Sequence, residues 1–400
     1  MKLKRVSIKG LNNKVDCDWD FHDDINIVTG INGCGKTTFL KLLWYAISGN
    51  IEYLISETNF EFFKLETSHF SLCLNRKESG FEWEYITNKI KQNGIINSGE
   101  YISSREIDLL QSLIIESNAS SLFFPTFRRI EGGYSIINTE TIRRIKPQEK
   151  NIPSFGLPSS IPSPISRPFP MIGINGRLQF ERNIDHINIS IKDEFNNLSN
   201  RISIGANRFI CSISTHDLVS LLSSRHADIL EQINKYSNVL NNSLINKIES
   251  IKSGIEDNKA ESLAILSNLQ KEAANVNNKR DELLMPFKIL SELVAKVMHY
   301  KGVTFDGFTL GELIDAIDSR LLSSGEQQML SFLCYNAFYE NSVIFIDEPE
   351  LSLHPDWQRR LFPNLMKQQS SNQFIVATHS PMIYSKYSDK EIILSSEKGE

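Results

Sequence analysis

Residues 30–37 read Gly-Ile-Asn-Gly-Cys-Gly-Lys-Thr, and this stretch decides the fold. It matches the pattern G-x-x-x-x-G-K-[ST] of a phosphate-binding loop, or P-loop. The apolar run Ile25–Thr29 precedes it and predicts a buried strand that stops at Gly30. The residues from Thr37 to Ile47 have the pattern of a helix. Because strand, loop and helix follow one another in the order that a P-loop requires, we expect this segment to bind a nucleotide.

The residue types of the loop indicate its chemistry. Its glycines let backbone N–H groups curl around phosphate oxygens, and the start of the following helix adds the positive end of its dipole. Lys36 is expected to reach the β- and γ-phosphates, and the Thr37 hydroxyl to coordinate Mg²⁺. ATP and Mg²⁺ are therefore the predicted cofactors. The nucleotide-binding residues predicted in this loop are Asn32, Gly33, Cys34, Gly35, Lys36, Thr37 and Thr38.

A second segment places two carboxylates at the end of an apolar run. Val343–Ile346 predicts a buried strand, and Asp347 and Glu348 follow it directly. Asp347 is suited to be the partner of Thr37 in holding the magnesium ion, which it would contact through a water molecule. Glu348 fits the catalytic group that polarises the attacking water during hydrolysis. Together with the P-loop, this acid pair predicts a magnesium-dependent ATPase.

Three further segments decide the subclass, namely Leu322–Gln328, Glu348–Pro355 and Phe374–Ser380. The order of these motifs along the chain resembles that of the ABC-type ATPases. Leu322–Glu326 resembles the LSGGQ signature of that family, with Ser324 in place of the first glycine and Glu326 in place of the glutamine. Glu350–His354 occupies the slot of the family's D-loop, and His379 occupies the slot of its switch histidine.

This resemblance implies how the site works. In ABC-type folds the signature loop closes over the P-loop of a second subunit, so that two chains enclose two ATP molecules. Glu348 and His379 would then be the catalytic residues, acting on water and the γ-phosphate in the closed dimer. The additional nucleotide contacts that the resemblance implies are Ser323, Ser324, Gly325 and Glu326.

The details of the motifs resemble one branch of the ABC-type ATPases. The P-loop form G-x-N-G-x-G-K-T is similar to that of the SMC and RecF proteins and of the OLD-type ATPases, rather than that of membrane transporters. The string from Asp347 to Gln358, together with Thr378–Pro381, closely resembles the OLD-like ATPases of bacterial phage defence. OLD nucleases carry a Toprim domain after the ATPase, and the twenty-one residues beyond His379 are too few for one. A nuclease or toxin effector is therefore expected on another polypeptide.

Two-protein defence systems fit this expectation. The chain resembles the ATPases of the PARIS system (AriA, which works with the Toprim-type effector AriB) more than those of the Septu system (PtuA, which works with an HNH nuclease). The resemblance implies an oligomeric scaffold that holds the effector and responds to a phage trigger protein. A RecF-like ATPase of DNA repair is the alternative, against which the net charge of −5 argues mildly.

A segment near the middle of the chain leaves two alternatives open. Leu122–Glu131 fills the slot of the family's Q-loop but contains no glutamine, which puts a glutamine contact to Mg²⁺ in doubt. Arg128 and Arg129 in this segment either face solvent or contact nucleotide, a neighbouring subunit or nucleic acid. The same alternatives hold for a second basic cluster, which contains Arg143, Arg144 and Lys146.

The fold class expected is α/β, an ABC-type head whose mixed sheet has a parallel core. Residues 1–125 and 301–400 form the two parts of this head, and residues 126–215 form an inserted region with a proline-rich loop at 147–170. Heptad-like apolar spacing over residues 216–300 predicts a short antiparallel coiled-coil hairpin, with Pro286 expected to kink its second arm.

Composition sets the outer limits of this interpretation. Apolar residues make up 40% and charged residues 23%, as in ordinary globular proteins. Lys and Arg number 43 against 48 Asp and Glu, which excludes a basic nucleic-acid coat protein. The five cysteines show no C-x-x-C pair, so neither a zinc site nor a redox site is expected. With neither a secretory signal nor a membrane-spanning run in the sequence, the chain is expected to be cytoplasmic.

Overall fold

The computed structural model describes residues 1–13, 15–97, 105–126, 199–210, 215–253, 259–298 and 323–394. All of these belong to the first of two compact units, which comprises Met1–Phe127 and Ser199–Glu400. The second unit, Arg128–Leu198, lies outside the described residues. The predictions for the proline-rich loop and for both basic clusters therefore fall outside them as well, and so does Leu322, which belongs to the undescribed range 299–322 of the first unit.

Twelve strands are described. In chain order they are β1 (Leu3–Leu11), β2 (Val15–Asp20), β3 (Ile25–Thr29), β4 (Phe62–Thr67), β5 (Ser71–Lys77), β6 (Gly80–Ile86), β7 (Lys91–Asn97), β8 (Ser121–Phe124), β9 (Asn207–Phe209), β10 (Val343–Asp347), β11 (Gln373–Ala377) and β12 (Glu391–Ile393).

The helices described are, in the same order, α1 (Lys36–Ser48), α2 (Ile51–Glu57), α3 (Arg105–Glu116), α4 (Thr215–Ser253), α5 (Lys259–Met298), α6 (Ser324–Phe338), α7 (Pro355–Met366) and α8 (Pro381–Tyr384). Two short 3₁₀ turns accompany them, at Pro349–Ser352 and Ser388–Lys390.

One sheet carries the P-loop, and every pair of neighbouring strands in it is parallel. Its order is β12-β3-β11-β10-β8-β9. Every residue of β3, β8, β10 and β11 is buried, as expected for parallel strands covered on both faces. The predicted strands before the P-loop and before the acid pair are both confirmed.

A second sheet is antiparallel throughout and has the order β2-β1-β4-β5-β6-β7. Buried and more exposed residues largely alternate along β4 and β5, which is typical of a sheet with one solvated face. Asn12 and Asn13, with φ of 52° and 57°, form the turn between its first two strands. The structure thus confirms the α/β class and its parallel core, and it divides the strands of the expected mixed sheet between two sheets.

Helix α1 packs against the parallel sheet and so fixes the end of the P-loop. The Trp44 ring centroid lies 5.6 Å from that of Phe123 and 5.3 Å from that of Phe209. All three side chains are buried in one hydrophobic cluster. The helix ends at Gly49, whose φ of 79° places it in the left-handed region that favours glycine at this position.

The long helices α4 and α5 pack against each other and form the expected hairpin. Leu218 and Leu222 of the first arm and Phe287 of the second are buried in the same cluster as Phe332 of α6. The base of the hairpin is therefore part of the ATPase core. Pro286 lies inside helix α5, and the kink expected there stays a prediction. In the described part of the chain, no helix combines the length and apolar character that spanning a membrane requires.

Candidate nucleotide and magnesium site

The carboxyl ends of four parallel strands meet at one edge of the sheet. In the register, Asp347 of β10 pairs with Ala377 of β11, and Ala377 pairs with Val28 of β3. On the other side, Ile346 of β10 pairs with Phe124 of β8. The residues that follow these strands therefore lie side by side, which is where open parallel sheets bind their ligands.

The P-loop leaves β3 in a backbone conformation that depends on glycine. Gly33 and Gly35 have φ of 78° and 101°. A Cβ atom at Gly33 would meet nothing within 4 Å, so its requirement for glycine is conformational rather than steric. No side chain caps the first turn of α1, and that turn contains no acidic residue. Its N–H groups and dipole are therefore suited to an anion.

Lys36 is the buried cation of the loop, with only 6% of its surface exposed. Its Nζ donates to the carbonyl oxygens of Gly30 at 3.1 Å and Ile31 at 3.2 Å. The ammonium group is thus held inside the curve of the loop, where a nucleotide's phosphates are expected. Asn32 and Gly33 are exposed, and Cys34, Gly35 and Thr38 are partly buried.

Asp347 lies opposite the first turn of α1. The Thr37 hydroxyl donates to its two carboxylate oxygens, at 3.2 Å to Oδ1 and 2.9 Å to Oδ2. The Thr126 hydroxyl donates to Oδ2 at 2.7 Å. Burial raises the pKa of the Asp347 carboxyl, although these two hydroxyls and the charge of Lys36 oppose the rise. The predicted pair of Thr37 and Asp347 is thus brought together, and Thr126 joins it.

The donor set fits a magnesium ion that arrives with a nucleotide. The Asp347 carboxylate and the Thr37 hydroxyl are hard oxygen donors of the kind that Mg²⁺ takes. Among the described residues, no group of three or more His, Cys, Asp or Glu side chains forms a metal cage. Mg²⁺ needs none, because it commonly takes one or two carboxylates and completes its shell with phosphate oxygens and water.

Glu348 is half-buried and has an unusual backbone conformation. Its φ and ψ of 49° and 58° lie in the left-handed region, which is uncommon for a residue other than glycine. Its N–H donates to the carbonyl oxygen of Ala377 at 2.8 Å, which holds it at the edge of the sheet. Burial, with the charges of Asp347 and Glu350, raises the pKa of the Glu348 carboxyl. A carboxylate with a raised pKa is suited to act as a general base.

His379 lies in the loop after β11, and Glu350 holds this loop. Glu350 Oε1 accepts a hydrogen bond from the His379 backbone N–H at 2.7 Å, and Oε2 accepts one from the Thr378 hydroxyl at 2.8 Å. The Ser380 hydroxyl donates to the side chain of Gln358 at 2.5 Å. The D-loop and the helix that follows it therefore fix the predicted switch histidine.

The predicted signature residues form the start of α6. The Ser323 hydroxyl accepts the N–H of Glu326 at 3.3 Å, and the Glu326 carboxylate accepts the N–H of Ser323 at 2.5 Å. This is a capping box, which satisfies N–H groups at the helix start. Glu326 is buried and its carboxylate turns back onto the cap, whereas Ser323 is exposed and Ser324 is partly exposed.

Gly325 lies against the D-loop at very short range. A Cβ atom at this position would lie 2.3 Å from the carbonyl oxygen of Ser352. The Gln328 amide also donates to the carbonyl oxygen of Pro349, at 3.4 Å. The start of α6, the 3₁₀ turn Pro349–Ser352 and the loop after β11 are therefore contiguous within one chain.

Two contacts of the site were not predicted from the sequence. Thr126 was part of the Q-loop slot but had no assigned role, and Glu350 was named only as a D-loop residue. A signal for Thr126 exists in the sequence, because it closely follows the apolar run Leu122–Phe124, as Asp347 follows the apolar run Val343–Ile346. The contacts of Glu350 had no such signal, since they depend on the fold of the 3₁₀ turn.

The AAA ATPase domain family matches residues 1–384 of the chain. Two curated relatives are similar over shorter stretches. The Retron Ec83 probable ATPase of Escherichia coli is 35% identical over 75 residues, 16% of this chain and 14% of that protein. The Retron Vc95 probable ATPase of Vibrio cholerae serotype O1 biovar El Tor is 25% identical over 165 residues, 35% of this chain and 32% of that protein. The matches thus span a third or less of these relatives.

Among solved structures, the chain is similar to the Smc head domain of Pyrococcus furiosus, at 12% sequence identity and a TM-score of 0.37. That alignment covers 100% of this chain and 94% of the Smc chain. The recombination mediator protein RecF is similar at 13% identity, with a TM-score of 0.31 over 95% and 93% of the two chains. These scores are too low to support an argument. The assignment depends on the family match, which extends from residue 1 to residue 384 and includes the P-loop and the acid pair: the chain belongs to the AAA ATPase domain family.

Proposed function

We propose that the chain binds and hydrolyses MgATP and that it serves as the sensor and scaffold subunit of a bacterial anti-phage system. The observation that carries the first part is the contact between Thr37 and Asp347 at 2.9 Å, with Lys36 in the same loop and Glu348 next in sequence. The nucleotide contacts are those predicted in the P-loop. Asp347 and Thr37 hold the magnesium, and Glu348 polarises the attacking water.

His379 completes the site by contacting the γ-phosphate in a closed dimer. The partly exposed Ser324 and the exposed Ser323 are accessible to a second copy of the chain, whose nucleotide they would contact. Leu351, in the same D-loop slot as Glu350, is 56% exposed and would be covered if two copies of the chain associate through this face. ATP binding would therefore drive assembly, and hydrolysis would reverse it.

Two observations support the proposed role in phage defence. The string from Asp347 to Gln358 resembles the OLD-like defence ATPases, and both curated relatives are named as probable ATPases of retrons. The partner proposed is a separate nuclease or toxin, of the Toprim type as in PARIS or of the HNH type as in Septu, and a phage protein is the trigger. A RecF-like role at DNA is the second candidate, because the G-x-N-G form of the P-loop resembles that of RecF proteins as well as that of the OLD-type ATPases.

Co-purification with the product of the neighbouring gene tests the proposal. The two proteins are mixed with ATP and Mg²⁺, and the mass of the complexes is read by mass photometry for the wild type and for Lys36→Ala. A large complex that forms only with the wild type supports the scaffold function. A lone ATP-dependent dimer that binds DNA with a steep salt dependence would instead support the RecF-like role.

A further inference from the structure

Thr126 is held at the magnesium site by the register of the parallel sheet. Strand β8 ends at Phe124, which pairs with Ile346 of β10, the residue directly before Asp347. Pro125 and Thr126 then leave the sheet beside Asp347. The Thr126 hydroxyl donates to Asp347 Oδ2 at 2.7 Å, which is shorter than either contact from Thr37.

The geometry gives the two hydroxyls different tasks. Thr37 faces both oxygens of the carboxylate, at 3.2 Å and 2.9 Å, whereas Thr126 contacts Oδ2 alone. A carboxylate offers about four lone-pair positions, so the contact from Thr126 leaves the remaining positions for other partners. Because a carboxylate can rotate about its last torsion, a short contact to one oxygen fixes the direction in which the other oxygen points.

We propose that Thr126 is a positioning residue of the magnesium site, in the Q-loop slot that contains no glutamine. It holds the Asp347 carboxylate toward Thr37, so that the oxygen donors are already oriented when MgATP arrives. The proposal rests on the proposed function, since it assumes that the site takes magnesium with a nucleotide. Groups that orient a metal ligand typically change metal affinity by about 10- to 100-fold when removed.

A structural role for the hydroxyl predicts something different. Asp347 is buried, and a buried carboxylate needs hydrogen-bond donors whether or not it binds magnesium. If Thr126 only satisfied this need, its removal would lower the stability of the fold and leave the magnesium dependence of nucleotide binding unchanged. The two roles therefore separate in a titration with magnesium.

The test uses Thr126→Val, which keeps the shape of the side chain and removes the hydroxyl, and Thr126→Ser, which keeps the hydroxyl. Thr87→Val is the matched control. This substitution removes the hydroxyl of another threonine at a strand end, at a position far from Asp347 in sequence. In the wild type, the Thr87 hydroxyl accepts the N–H of Ile90 at 3.0 Å. Binding of a fluorescent ATP analogue is measured by anisotropy as Mg²⁺ is added, and again in EDTA.

We expect Thr126→Val to need about tenfold more Mg²⁺ for half-maximal binding than the wild type. Its binding in EDTA should equal that of the wild type, and Thr126→Ser and Thr87→Val should titrate like the wild type. A Thr126→Val protein that folds, by its thermal transition, and titrates like the wild type would overturn the inference while leaving the proposed function intact. A wild-type protein that binds the analogue equally with and without Mg²⁺ would overturn the proposed magnesium site itself.

Discussion

The carboxylate of Glu350 accepts the backbone N–H of His379 at 2.7 Å, and so connects the 3₁₀ turn Pro349–Ser352 to the loop after β11. The second oxygen of the same carboxylate accepts the Thr378 hydroxyl at 2.8 Å. Two adjacent residues are thereby fixed by one side chain. Because the D-loop also lies against Gly325, a movement of the signature helix would be transmitted to the histidine through this carboxylate.

Replacing Glu350 with alanine is expected to lower kcat for ATP hydrolysis by roughly 100-fold, because a displacement of about 1 Å at a reacting group has an effect of that size. The KM for ATP should change little, since the P-loop contacts remain. Steady-state kinetics would measure both. Glu340→Ala, which removes an exposed glutamate, is the control and should leave both values unchanged. An unchanged kcat in Glu350→Ala would show that the histidine does not depend on this contact.

The pH dependence of hydrolysis should report the raised pKa of Glu348. Burial raises it first, followed by the charges of Asp347 and Glu350. A general base acts only when ionised, so kcat should fall with decreasing pH while ordinary glutamates are still charged. Glu350→Gln removes one of the negative charges and should therefore move the acid limb of the kcat profile to lower pH. A limb that stays in place, or moves to higher pH, would contradict this assignment.

The central part of the site could be predicted from the sequence because it depends on strand ends. Thr37 and Asp347 are 310 positions apart in the sequence. Thr37 ends the P-loop motif that follows the buried parallel strand β3, and Asp347 is the last residue of the buried parallel strand β10. Parallel strands place those ends at one edge, so the contact follows from the two motifs alone. Thr126 shares that position, but the predictions for this segment concern the missing glutamine and the two arginines Arg128 and Arg129, and give Thr126 no role.

Of the remaining contacts, the capping box at the start of α6 has a local pattern, whereas the approach of Gly325 to Ser352 has none. Ser323 and Glu326 were interpreted as signature residues, although S-x-x-E is also the pattern of a capping box, which the structure contains. The contact of Gly325 with Ser352 requires two segments to approach within the space of one methyl group. Such an approach is a property of packing, and a single sequence does not encode it in any spacing.

Gly325→Ala is expected to destabilise the fold, because the added Cβ would lie 2.3 Å from a backbone oxygen. Forced overpacking of this kind costs typically 1–3 kcal/mol, against which alanine gains about 1 kcal/mol in helix propensity. The net loss should appear as a lower midpoint in urea denaturation. Ser324→Ala, one position earlier in the same helix, is the control and should keep the wild-type midpoint. A midpoint for Gly325→Ala at or above that of the wild type would mean that the D-loop moves aside freely.

Glu348→Gln is expected to bind ATP with wild-type affinity and to hydrolyse it on the order of 100-fold more slowly, since the base is lost while the P-loop is untouched. ATP-dependent assemblies should therefore persist, and size-exclusion chromatography with ATP and Mg²⁺ would detect them. Adding Ser324→Arg to this variant should prevent assembly, because the bulky side chain stands at the partly exposed helix start. Normal turnover in Glu348→Gln would exclude Glu348 as the base.

Asp347→Asn should stabilise the protein in the absence of nucleotide while abolishing magnesium-dependent hydrolysis. Burial raises the pKa of Asp347 above its ordinary value of 3.8, so the ionised carboxylate destabilises the fold at neutral pH, and a neutral amide removes that cost. The difference in thermal midpoint between variant and wild type should shrink as the pH falls through the raised pKa toward 3.8. Asp389→Asn, at an exposed position, is the control and should not shift the midpoint. A lower midpoint for Asp347→Asn at neutral pH would show that the contacts from Thr37 and Thr126 outweigh the burial of the charge.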